Sequence, residues 1–292
     1  MPLFKYVTLD QKNPDLDRMD ILINEEIRYT QLGAFNDPFE MPVYIEKAFK
    51  NGEFENRLYK IIHEIAHNDY KNLPLKTRLK KSLAVYLKEV EKHTQSVVPG
   101  STPSVRGYIE NIALSARNAL LKLDQHFGVL SLTETPDNLL MWVHYSGLHT
   151  GMVIEFDELH PIFDERKSQQ DEFRYLRQVI YSDTRPILEI FGDLLIKDYT
   201  YTKSTEWSYE KEWRIAKTVT DAKRTISAPP YDICLFDMPA TAISRVILGA
   251  RASPADMDRI KNILRTTPHL RHIRLQQAFL DERRFALNFA DC

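Results

Sequence analysis

The apolar residues of this chain change their spacing twice, and that change limits the folds open to it. Residues 3 to 40 hold short runs with a period near two, "LFKYVTL" and "EIRYTQL", then "GAFNDPFE", where Gly, Asn-Asp and Pro end regular structure. Residues 44 to 72, 76 to 95 and 104 to 126 instead repeat apolar side chains near every 3.6 positions, with breaks at "NLPL" and "VVPGSTPS". From residue 127 the strand period returns in "GVLSLTE", "GMVIEFD", "FRYLRQVIY", "EWRIAKTV", "DICLFDM", "ISRVILG" and "HIRLQQA", separated by short helices. Strands at both ends with helices between them predict an α+β fold. The expected form is one mixed, largely antiparallel sheet built from N-terminal and C-terminal strands. Residues 1–40 and 127–292 would make the core domain and 41–126 a helical insertion.

With 292 residues, 43% hydrophobic and 27% charged, the chain has ordinary globular composition and ample core. A net charge of -2 gives no general attraction to nucleic acid or membrane. Residues 241 to 292 hold nine Lys/Arg against five Asp/Glu, which reads as a solvated helix face. Cys234 and Cys292 lie far apart, so a disulfide scaffold is excluded. The N-terminus lacks a basic stretch followed by an apolar one, and no apolar run approaches a bilayer's thickness. The expectation is a cytoplasmic protein without a membrane partner.

One short motif has a known mechanism. His63-Glu64-Ile65-Ala66-His67 matches H-E-x-x-H, which sets two imidazoles one helical turn apart for Zn²⁺ while the Glu polarises bound water. At about 100° per residue, however, Phe54, Leu58, Ile61, Ile62 and Ile65 gather on one face and Lys60, His63 and His67 on the other. Lys60 and Asp69 put charges where such a site has small or apolar residues. The motif therefore reads as a solvated helix surface, and no metal ligand is assigned.

Three other stretches carry improbable polar residues. In "SLTETPDNLLMWVHYSGLHTGMVIEFD", a strand stops at Pro136, Thr135 or Asp137 is placed to cap a short helix, and Trp142, His144 and Tyr145 suit a pocket wall. In "KSTEWSYEKEWRIAKTV", a strand over 209 to 216 would place Glu210, Glu212 and Arg214 on one face. Carboxylates about 7 Å apart on one strand face raise each other's pKa unless a cation lies between them, a role open to Arg214. In "EEIRYTQLGAFNDPFE", Asn36 and Asp37 would cap a turn stiffened by Pro38, with Phe35 and Phe39 packed beneath.

"LFKY", "RYTQLGAFNDPFE", the "MWVHY" block, "VIYSDTRP" and "TKSTEWSYEKEWRI" together resemble a bacterial family known as domain of unknown function 2971, some members of which are linked with phage abortive infection. The resemblance implies bacterial cytoplasm and defence, and supplies no reaction. A second similarity is to ADP-ribosyltransferases, whose NAD cleft uses an Arg or His on an early strand, a Ser/Thr strand and a late Glu-x-Glu. It implies NAD as a substrate and fixes no cofactor. Arg28 would meet a phosphate, and Tyr29 or Tyr145 would stack on nicotinamide. Ser131 and Thr133 would form the Ser/Thr strand. Glu212 would stabilise the oxocarbenium-like transition state, and Glu210 would orient or deprotonate the acceptor. The acceptor would be a macromolecule, protein or nucleic acid. Two other classes stay open. One is a non-catalytic sensor or partner-binding protein, with Trp142, His144 and Trp207 lining a pocket and the glutamates paired to Arg214 or Lys203. The other is a metal-dependent nuclease using Asp37, Glu210 and Glu212.

Overall fold

A computed structural model describes residues 1–9, 18–40, 53–93, 125–186 and 199–292, with residues 111 and 115. The helix expected over 104 to 126 and the first part of that expected over 44 to 72 fall largely outside the described residues. The chain divides into two compact units. One comprises Met1–Pro42, Leu121–Pro186 and Leu195–Cys292, and the other Val43–Leu120 with Ile187–Leu194.

The first unit is α+β. Its strands are β1 (Leu3–Val7), β2 (Glu26–Gln31), β3 (Phe127–Thr133), β4 (Met152–Phe156), β5 (Arg177–Gln178), β6 (Ile180–Ser182), β7 (Thr202–Ser204), β8 (Glu212–Thr218), β9 (Arg224–Ile226), β10 (Ile233–Asp237), β11 (Ile243–Leu248), β12 (Arg274–Leu280) and β13 (Leu287–Asp291). Eleven form one sheet in the order β13-β12-β11-β4-β1-β3-β2-β10-β9, with β8 on β3 and β5 on β8; β6 and β7 pair separately. All neighbours are antiparallel except β11 with β12 and β6 with β7.

Successive side chains of a strand point to opposite faces, and at the centre of this sheet both faces are buried. On β4, Met152, Ile154 and Phe156 enter one core with Leu130, Leu132 and Ile215, while Val153 enters another with Phe4, Tyr6 and Ile247. A strand buried on both sides reads as a continuous apolar run, as "MVIEF" does. Ile260 and Leu264 of a C-terminal helix (Pro254–Thr266) join the first core. Met141 and Trp142 of a shorter helix (Leu139–Tyr145) join the second. Each fully buried large side chain contributes about 1.5–3 kcal/mol. Cys234 is buried and Cys292 exposed, both as free thiols.

Several local expectations change. "FRYLRQVIY" is divided between β5 and β6, and β7, β9 and β13 were not anticipated; the first two are three-residue strands too short to show a period. The helix after Pro136 is capped by Asn138, not Thr135 or Asp137. The Asn138 side chain accepts from the amides of Leu140 and Met141, because the helix starts one residue later. Phe39 is 65% exposed and does not pack beneath its turn, whereas Phe35 packs against the Leu32, Val129 and Ala216 cluster.

In the second unit, helices run over Glu53–Asn72, Leu75–Lys80 and residues 83–93. The Tyr70 hydroxyl donates to the Lys81 carbonyl at 2.6 Å, and its ring lies 5.5 Å from that of Tyr86. His63 is exposed and His67 half-buried. Ile65, placed on the apolar face by the wheel, is 55% exposed, and Ala66 is buried instead. Among the described residues no three His, Cys, Asp or Glu side chains converge as a metal site, and no helix is long and apolar enough to cross a membrane.

Candidate functional site

The sheet of the first unit branches at β3, and a cavity of about 300 Å³ lies at the branch. One edge of β3 is paired along its length by β8, from Phe127↔Thr218 to Thr133↔Glu212. Its other edge is shared. β1 takes Thr133 through Phe4, and β2 takes Gly128 and Val129 through Gln31 and Thr30. Leu130, Ser131 and Leu132 have no register partner in β1 or β2. Phe4, Lys5, Tyr6, Arg28, Thr30 and Ser131 line the opening between the diverging strands. Gly128 permits the close approach of β2, since a Cβ there would stand 2.8 Å from the Tyr29 Cβ.

Two cations face this cavity from β1 and β2. Lys5 Nζ donates to the Ser131 carbonyl at 2.9 Å, on the unpaired edge of β3. Burial, then the neighbouring Arg18, lower its pKa to about 8, while Glu212 and Glu210 act the opposite way. Arg28 Nε is buried without a hydrogen-bond partner, and burial lowers the pKa of this guanidinium too.

At the other end stands a buried ion network. Lys203 on β7 reaches Glu210 Oε2 at 2.6 Å, Glu212 Oε2 at 3.1 Å and Glu40 Oε1 at 3.2 Å. Arg214 holds both oxygens of Glu212, through Nε at 2.7 Å and Nη2 at 2.9 Å. It also pairs with Glu40 and donates to the Thr200 carbonyl at 2.7 Å. Burial alone would push the Glu212 carboxyl up, but Arg214, Lys203 and a hydrogen bond from Ser131 bring it down to about 2. For Glu210 burial prevails, and its pKa is raised. The Tyr145 hydroxyl donates to Glu210 Oε1 at 2.7 Å and accepts from Asn36 Nδ2 at 3.3 Å. The two neighbouring carboxyls are thus shifted in opposite directions, Glu212 down by its cations and Glu210 up by burial.

The local backbone differs from the expected strand over 209 to 216. Residues Thr205–Glu210 form a 3-10 turn, Lys211 is left-handed at φ 43°, and β8 begins only at Glu212. The two glutamates therefore meet Lys203 because the chain turns between them, not because they share a strand face. Thr133 fixes the turn by donating to the Glu210 carbonyl at 2.5 Å. The Glu212 amide donates to the Tyr181 hydroxyl at 2.8 Å.

Of the residues singled out by sequence, Arg28, Ser131, Thr133, Tyr145, Glu210 and Glu212 line one cavity. Tyr29 does not. It follows Arg28 on the same strand, so it points to the opposite face, where it is fully buried against Phe236 with ring centroids 4.3 Å apart. Trp142 is also fully buried, bound through Nε1 to the Pro136 carbonyl at 2.8 Å and edge-on to Tyr6 at 5.3 Å. It supports the short helix from behind, while Met141 and Tyr145, one turn apart, face the cavity. His144 is exposed on that helix and meets Trp207 edge-on at 6.2 Å, away from the lining. Asp37 binds its own turn by accepting from the Phe39 amide at 2.8 Å. Sequence reasoning missed Lys5 and Glu40. Lys5 had a signal, a charge inside the apolar strand "LFKYV". Glu40 had none, because its partner Arg214 is 174 positions away.

No curated protein and no solved structure matches this chain. A family model described as "Protein of unknown function (DUF2971)" matches residues 141–215, the segment that supplies Tyr145, Lys203, Glu210, Glu212 and Arg214.

Proposed function

We propose that the branch cavity is the active site of an enzyme that transfers the ADP-ribosyl group of NAD, with Glu210 as the proton-moving group. The observation that carries this reading is the joining, in one cavity, of two cations at Lys5 and Arg28 to a buried Glu210 whose pKa is raised. In the reaction, the bond between C1′ of the ribose and nicotinamide breaks and nicotinamide leaves with the electron pair. The acceptor nucleophile bonds to C1′, and its proton passes to Glu210. A carboxyl of raised pKa held by Tyr145 suits that transfer. Glu212 is held by Arg214 and Lys203, so in this reading it fixes Ser131 and the cations, and the acid-base role rests on Glu210. The bacterial defence setting implied by the family resemblance suits a cytoplasmic enzyme with a macromolecular acceptor.

Nicotinamide release from NAD tests this reading. Glu210→Gln is expected to lower it by about 100-fold or more with the fold intact by circular dichroism. Absence of both release and binding at millimolar NAD would sink the proposal. The ion network favours one other reading, a non-catalytic binding protein, since Glu40, Lys203, Glu212 and Arg214 pair with one another. Saturable NAD binding without turnover would support it. A nuclease gains no support from the geometry: Glu210 and Glu212 face cations, and Asp37 is tied to its own turn.

A further inference from the structure

The cavity's charges are unevenly satisfied. Its acidic end is closed, each glutamate meeting Lys203 and two of them also Arg214. Its basic end is open. Among the described residues Lys5 bonds there only to a backbone carbonyl, which uses one of its three N–H groups. Among the described residues Arg28 Nε is buried without a partner, and a buried guanidinium donor is costly unless water or a ligand meets it. The two cations lie on strands that diverge from each other, with β3 backbone between them that neither strand pairs. Ser131 and, from β2, Thr30 line the same cavity.

We infer that the Lys5–Arg28 end of the cavity is a subsite for the 5′-phosphate of a pentose, so that the ligand half enclosed here is one mononucleotide unit, whose phosphate in NAD belongs to the pyrophosphate. Charge-assisted donors of this kind favour phosphate, with Arg28 presenting its planar fork and Lys5 a point charge. At about 300 Å³ the cavity stands at the small end of small-ligand sites, about 300–1,000 Å³. That is room for a phosphoribosyl group with one base and leaves the rest of a dinucleotide outside. A phosphate at Lys5 and Arg28 directs the sugar hydroxyls toward Ser131 and Glu210, across the same cavity. The inference deepens the proposed reading by naming what the site grips, and it rests on that reading for the sugar.

Calorimetric binding of nicotinamide mononucleotide and nicotinamide riboside to the full chain tests it, with ribose 5-phosphate and inorganic phosphate as competitors. At pH 7 the phosphorylated ligand is expected to bind at least about tenfold more tightly than the riboside. Lys5→Gln, which keeps an N–H for the Ser131 carbonyl, and Arg28→Gln are each expected to remove most of that ratio. Lys5 is faced by Arg28 from β2, by Glu212 and Glu210 from the opposite end, and by Arg18. Above about pH 8 the ammonium loses its proton, so the wild-type ratio falls toward that of Lys5→Gln, which shows no such step. Equal binding of riboside and mononucleotide, no binding of either at millimolar concentration, or a ratio unmoved in both folded variants would overturn the subsite. Nicotinamide release is a separate readout: a phosphate preference without release refutes the reaction and keeps the subsite, and release without preference does the reverse.

Discussion

Arg214 and Glu210 belong to the same buried network, yet their removal has different consequences. Arg214 is fully buried and shared by Glu212, Glu40 and the Thr200 carbonyl. Its loss leaves three buried carboxylates facing the single ammonium of Lys203. Breaking a buried ion group by deleting one partner costs about 3–5 kcal/mol, since the stranded charges keep their desolvation penalty. Arg214→Met is therefore expected to lower unfolding free energy by that amount in urea titrations. Glu210→Gln leaves Lys203 with Glu212 and Glu40, and the amide oxygen still accepts from Tyr145, so about 1 kcal/mol or less is expected. A small loss for Arg214→Met would mean that the network relaxes around the gap, and would remove the reason for treating Glu212 as fixed.

Two short elements carry the site, and each is held by one polar side chain. The helix over Leu139–Tyr145 has only seven residues, so its start matters. Asn138 caps it with its side-chain oxygen and donates from Nδ2 to the Tyr209 carbonyl at 3.3 Å, tying the helix to the turn that bears Glu210. Asn138→Ala is expected to cost about 1–2 kcal/mol, and Asn138→Asp less, because the carboxylate keeps the cap; thermal melting of both variants checks the order. The strands around these elements were legible where one period governs six or seven residues, as in β2, β3 and β8. The strand expected over 209 to 216 gives way to a turn that ends at Glu210 and a strand that begins at Glu212. A left-handed Lys211 leaves no mark in the strand period, and such a backbone is uncommon for a residue with a Cβ. The same period, applied to "EIRYTQ", already separates Arg28 from Tyr29. Neighbours on one strand cannot both face the same ligand, so residue type alone does not place Tyr29 in the cavity. Lys5 is the one charge in an otherwise apolar strand, a signal that the apolar period alone does not carry.

Across the folded chain, the carboxylates with lowered pKa values make stability depend on acid. Glu212 is brought down to about 2, and Asp171 and Asp221 are lowered as well, the first by backbone hydrogen bonds and Arg174 against its burial, the second by a Thr218 hydrogen bond and Arg174. In the unfolded chain a Glu titrates near its ordinary value of about 4.3. Between that value and about 2 the unfolded state binds more protons than the folded one, so stability falls as pH falls through this window. For Glu212 alone the difference is on the order of 3 kcal/mol, fully present above about pH 5 and lost toward pH 2. Glu210 acts in the opposite sense: its raised pKa lets the folded state hold a proton that the unfolded state has released, so its share of stability declines as pH rises above the ordinary Glu value. The expected outcome is an acid limb in unfolding free energy between about pH 5 and 2, measured by urea titration at each pH. Glu212→Gln should flatten that limb, and Glu210→Gln should leave it in place and steepen it slightly by removing the opposing contribution. An unchanged limb in Glu212→Gln would assign acid sensitivity to the aspartates and place Glu212 among side chains that ionise alike in both states, in conflict with its hold by Arg214 and Lys203.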